Sequence, residues 1–85
     1  MQFSIIIEAK DQDGVIVKDF EVFIDDKKED LKEDGITTKK MFKFDTVIKS
    51  VKVKKAKYTD ADEVKDYKIE DKENKIPVTL PIIKV

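Results

Sequence analysis

The sequence predicts one small all-β domain, a sandwich of about seven short antiparallel strands, and three observations carry that expectation. Apolar and polar residues alternate along most of the chain, the period of a half-buried strand. Turn-forming residues recur about every 8–12 positions, the spacing of an all-β domain. No stretch carries the apolar stripe of a helix. The 85 residues fit a single domain.

Phe3, Ile5, Ile7 and Ala9 share one parity and form the apolar face of a first strand, with Ser4, Glu8 and Lys10 opposite. Ile6 breaks that polar face. Asp11-Gln12-Asp13-Gly14 then supplies a turn, because Asp bonds nearby backbone and Gly accepts positive φ. Phe20, Val22 and Ile24 mark a second strand, with Phe23 on the opposite parity. The charged run 26–34 holds one apolar residue, Leu31, and reads as a loop. After Gly35, segments 36–38 and 41–44 read as one interrupted strand or two short ones. Val51 and Val53 alternate with Lys52 and Lys54 in a strand that starts near Val47. Residues 59–63 read as an acidic loop, and Val64, Tyr67 and Ile69 as a weaker strand. A turn over 70–75 leads to a last strand with Ile76, Val78, Leu80 and Ile82 on one face. Pro77 and Pro81 lack the N–H that a ladder needs, so this strand belongs at an edge or has one side unpaired.

Composition narrows the chemistry. The chain has no His and no Cys, which removes the usual nucleophile triads, thiolate chemistry and soft-ligand zinc sites. The expectation is a protein that is not an enzyme and carries no cofactor. All 18 basic residues are Lys, and the absence of Arg speaks against nucleic-acid recognition. No run reaches the ~18 apolar residues of a membrane span, and no signal peptide is expected ahead of the Phe3 strand. An excised domain would be extracellular or on the cell surface. A native Met1 start would make the protein cytoplasmic or particle-associated.

The order strand, Asp11-Gln12-Asp13-Gly14, Val15–Phe20, Glu21-Val22-Phe23-Ile24 resembles the opening of carboxypeptidase-regulatory-like domains, relatives of collagen-adhesin B-type repeats and transthyretin. Lys32-Glu33-Asp34-Gly35 sits at that family's second acidic-Gly turn. Val51-Lys52-Val53 with Ala56-Lys57-Tyr58, and the closing run 76–82, match its later strands. Lys57 stands where the family has Gly before Tyr58, and the Gly before the fourth strand is also missing. The resemblance implies a Greek-key, Ig-like sandwich of the prealbumin type, used as an adhesive or accessory module beside neighbouring domains or a protein partner. Some adhesin members carry a Lys–Asn isopeptide bond. Lys10 lies near the corresponding first-strand position, but Asn74 precedes the last strand instead of ending it, so no such bond is expected here.

Charge is unevenly distributed. Residues 39–57 hold eight Lys and one Asp, while 1–38 and 58–73 are acidic. Lys52 and Lys54 must share the solvent face of their strand. They read either as part of an anion-binding patch or as an exposed row that sits opposite acids and deters edge aggregation. If strands run up and down in sequence, Asp25, Asp26, Asp30, Asp34, Asp60, Asp62 and Glu63 crowd one pole. Asp25, Asp26, Asp60 and Asp62 are then candidate Ca²⁺ ligands, since a hard cation takes about six to eight oxygens; solvated loops are the alternative. Ile6 and Phe23, with Lys52 and Lys54, are the candidate partner surface. Three roles remain open: a module of a larger surface or secreted protein, a stand-alone subunit of a phage particle or similar assembly, and a calcium- or anion-binding domain.

Overall fold

The computed structural model describes residues 1–83, and the side chains of all of these except 63–65. Eight strands occur in the described chain: β1 (Gln2–Phe3), β2 (Ile5–Lys10), β3 (Glu21–Ile24), β4 (Lys27–Glu29), β5 (Phe42–Lys43), β6 (Val47–Lys54), β7 (Ala61–Lys68) and β8 (Asn74–Thr79). No helix occurs among the described residues. The fold is all-β, as the alternation predicts.

Four strands form an antiparallel sheet in the order β4-β3-β6-β7. The inward residues Val22, Ile24, Ile48, Val51 and Val53 are separated by outward ones that are polar except Phe23, so one face of this sheet is apolar. A second layer is built on β2 and β8, whose inward residues Ile5, Ile7, Ala9, Ile76 and Val78 join the same core. Two short segments cover the other edge of β2. Val17 donates its N–H to the Ala9 carbonyl beside the upper half, and Thr38 donates to the Ile5 carbonyl beside the lower half. β1 pairs with β5 below them.

The pairing of β2 with β8 is parallel, Ile5 opposite Asn74 and Lys10 opposite Thr79. An all-antiparallel arrangement therefore does not hold. The first long strand and the last run side by side in the same direction. β8 ends its sheet, beside β2 alone, where a proline-bearing strand fits. The pairing also separates Lys10 from Asn74, which lie at opposite ends of the two strands.

Three segments differ from the sequence expectation. Residues 27–29 form a strand inside the charged run: Asp25 and Asp26, at φ 49° and 67°, make a two-residue hairpin turn of the kind that matches strand twist. β7 begins at Ala61, within the expected acidic loop, because Ala61 and Asp62 pair with Val53 and Lys52; the side chain of Val64, expected on its apolar face, lies outside those described. β8 begins at Asn74, within the expected turn and so earlier than the sequence suggested. Its carboxamide is buried (1% exposed) and satisfies the turn from inside the core.

Two backbone positions matter for the poles of the molecule. Gly35 has φ 72°, and a Cβ there would lie 2.5 Å from the Asp19 carboxylate, so only glycine fits. Lys57 has φ 72° as well, in the left-handed region where a non-glycine residue carries roughly 1–2 kcal/mol of strain.

Candidate functional site

The outer face of the four-stranded sheet gathers three of the four expected partner residues. Phe23 alternates out of the core between Val22 and Ile24, and its register partners are Lys28 on β4 and Lys52 on β6. Lys54, two residues on, places its ammonium 5.6 Å from the centre of the Phe23 ring, within cation–π range. A shallow recess is lined by Phe23, Asp26, Lys52 and Lys54. Ile6 is elsewhere. It lies on the outer face of the β2–β8 layer, in an apolar groove of about 200 Å³ with Ile16 and Ile36, bordered by Glu8, Lys10, Glu73 and Lys75.

The basic row is matched by acids across the strands. Lys52 lies 3.8 Å from Asp62, its register partner, and Lys54 lies 4.0 Å from Asp60. Both pairs are largely exposed, and each contributes at most about 1 kcal/mol. They neutralise the row and leave the half-buried Phe23 as its apolar element.

The candidate cation ligands fall at different levels of this sheet. Asp25 and Asp26 turn the chain at the lower end of β3. Asp60 lies at the level of the upper end, since Glu21 pairs with Lys54 and Ala61 with Val53. The hairpin at 25–26 turns the chain back along β3, so that Glu29 comes opposite Val22, one residue pair from the Glu21–Lys54 rung. Asp25 is engaged locally: one carboxylate oxygen accepts the N–H groups of Lys49 (2.9 Å) and Ser50 (3.1 Å), where β6 bulges between Ile48 and Ser50. Asp34 likewise caps its own turn, accepting from the N–H groups of Ile36 and Thr37 and from the Thr37 hydroxyl. Those bonds, the Thr37 hydroxyl first, hold its carboxyl below the usual carboxylate range. The side chain of Glu63 lies outside those described. Among the described residues no group of three or more Asp or Glu is set to hold a metal ion.

Further apolar residues shape these surfaces, and Ile82, expected on the core face of the last strand with Ile76, Val78 and Leu80, is exposed because β8 ends at Thr79. Val15 and Ile16, each 59% exposed, stand on the segment beside the upper half of β2. Ile82 donates its N–H to the Gln12 side chain, and Ile83 to the Lys57 carbonyl, so the exposed aliphatic side chains of 82–83 lie at the same pole. For Val15, Ile16 and Ile83 the sequence signal is weak, because isolated apolar residues beside turns are common on ordinary surfaces. At the opposite pole the Glu70 and Glu73 carboxylates raise the ammonium pKa of Lys72 and Lys75, respectively, through direct hydrogen bonds.

Among the described residues no helix is long and apolar enough to cross a membrane. No family model matches the chain, and neither a curated protein nor a solved structure does.

Proposed function

We propose that this chain is a Greek-key β-sandwich, of the prealbumin-like kind its turn spacing resembles, serving as a non-catalytic load-bearing or adhesive module of a larger surface or secreted protein. The observation that carries the reading is the parallel pairing of β2 with β8. The chain enters β2 at one pole and leaves β8 at the other. Tension applied along the chain then loads the rungs of this ladder together, in shear. A peeling geometry would break them one at a time. The core rows on both strands, Ile5, Ile7 and Ala9 beside Ile76 and Val78, resist the same slide. The lack of His and Cys supports a role without catalysis, and Phe23 offers a partner one half-buried aromatic contact beside Lys52 and Lys54, which are themselves paired with acids.

Single-molecule pulling tests this. Tandem copies stretched end to end are expected to unfold at several times the force needed when the load passes from the N-terminus to a Lys72→Cys linkage. That linkage draws on β2 and β8 from the same pole and peels them. Equal forces in the two geometries would remove the mechanical argument.

A second reading, a self-associating subunit of a phage particle or similar assembly, is favoured by the exposed aliphatic residues Val15, Ile16, Ile82 and Ile83 at one pole. Sedimentation velocity separates the two readings. A subunit forms a defined oligomer that Ile16→Asp disrupts, whereas a module stays monomeric across the concentration range.

A further inference from the structure

The chain contains two Asp-Gly pairs, Asp13-Gly14 and Asp34-Gly35, and the fold treats them very differently. At 34–35 both reacting groups are restrained. The Asp34 carboxylate accepts three hydrogen bonds from Ile36 and Thr37. Gly35 is buried, donates its N–H to Lys32 and packs its α-carbon face against Asp19. Asn74, the only asparagine, has its carboxamide fixed by four hydrogen bonds in the core. At 13–14 the carboxyl of Asp13 is exposed and accepts no hydrogen bond among the described residues. No atom lies within 4 Å of the position a Cβ of Gly14 would take. The backbone N–H of Gly14 bonds to the Asp11 carbonyl at 3.0 Å, much as that of Gly35 does to Lys32. The contrast therefore lies in the carboxyl and in the space around the glycine.

We infer that Asp13 is the site in this chain at which aspartate converts to isoaspartate in the folded state, and that the fold protects Asp34 from the same reaction. The Gly14 nitrogen attacks Cγ of the protonated Asp13 carboxyl. A C–N bond forms, a carboxyl C–O bond breaks, and the amide hydrogen leaves with that oxygen as water. The resulting succinimide is opened by a solvent water. Cleavage at the side-chain carbonyl returns aspartate, and cleavage at the main-chain carbonyl leaves the chain running through Cβ and Cγ. No oxidant or reductant takes part. The product lengthens the backbone inside the turn where Asp13 and Val15 donate their N–H groups to the Asp11 carboxylate at 2.8 and 2.9 Å. It thus loosens the segment that presents Val15 and Ile16. The lowered pKa of Asp34 adds to its protection, because the ionised carboxylate is a poor electrophile.

The test ages the whole chain at neutral pH and physiological temperature, native in one sample and unfolded in urea in another. An isoaspartate-specific methyltransferase with labelled S-adenosylmethionine then reports the site by peptide mapping. Label is expected on the Asp13 peptide severalfold above the Asp34 peptide in the native sample, and close to equal on the two in urea. Native label that is absent, or as strong on Asp34, overturns the inference. So does a native ratio that persists unchanged in urea, because the fold would then not be the cause.

Discussion

Asn74 shows how much one buried polar side chain can hold. Its Oδ1 accepts the Tyr67 hydroxyl and the Glu70 N–H, both at 3.0 Å, and its Nδ2 donates to the carbonyls of Glu70 and Lys72. Every hydrogen-bonding position of the carboxamide is used, and the turn from β7 into β8 folds around it. Asn74→Ala leaves several of these groups without partners and is expected to lower stability by about 2–4 kcal/mol in urea denaturation. Tyr67→Phe, which removes one donor, is expected to cost about 1 kcal/mol. Asp34 gives the residue scale a pH dependence. Its folded pKa is lowered, so its contribution is fully present above the unfolded value near 3.8 and is lost as pH falls through the lower folded value. The stability gap between wild type and Asp34→Ala should therefore close on acidification. A gap independent of pH would rule out the charged cap. Neither role is marked in the sequence: an Asn before an apolar run, or an Asp-Gly pair, states a local turn and not the partners that converge on it.

At the scale of elements, much was legible. The alternating faces of β2, β3, β6 and β8 place Ile5, Ile7, Val22, Ile24, Val51, Val53, Ile76 and Val78 in the core, as parity requires. Short apolar runs carry this signal because they bury one face only. β4 lacks it. Lys27, Lys28 and Glu29 hold no apolar residue, and their strand exists because the Asp25-Asp26 turn returns the chain along β3. Asp25 does further work across the sheet by receiving two N–H groups at the β6 bulge. Asp25→Ala is expected to cost about 1–2 kcal/mol and to speed amide hydrogen exchange at Lys49 and Ser50; unchanged exchange there would refute the bridging role. Of the candidate site, parity puts Phe23, and Lys52 with Lys54, on the outward side of their own strands, and it is the pairing of β3 with β6 that brings them onto one face. The position of Ile6 on the other layer depends on which strands pair, and parity within one strand carries no information about that.

For the whole molecule, the two layers share one core, and the proposed mechanical role lies in the parallel β2–β8 ladder. The mechanical prediction belongs here, since no single residue sets it. Pulling between the ends tests β2 against β8, and pulling to Lys72 tests the same strands from one pole. The parallel register leaves no mark in the alternation, because a strand pattern is the same read in either direction. Pro77 and Pro81 indicated an edge for β8, though not which strand would lie beside it.

The same pairing sets an order for assembly during synthesis. Within residues 21–68, β3 with β4 and β6 with β7 are close in sequence and can pair early as hairpins, whereas β3 and β6 pair across a longer loop. β2 is made before these strands and pairs with β8 only after them, and closing so long a loop is entropically costly. Until then β2 can have only the segments at Val17 and Thr38 beside it, and its other edge is the kind of open strand edge that promotes aggregation. The ladder proposed to bear tension is thus one that closes late.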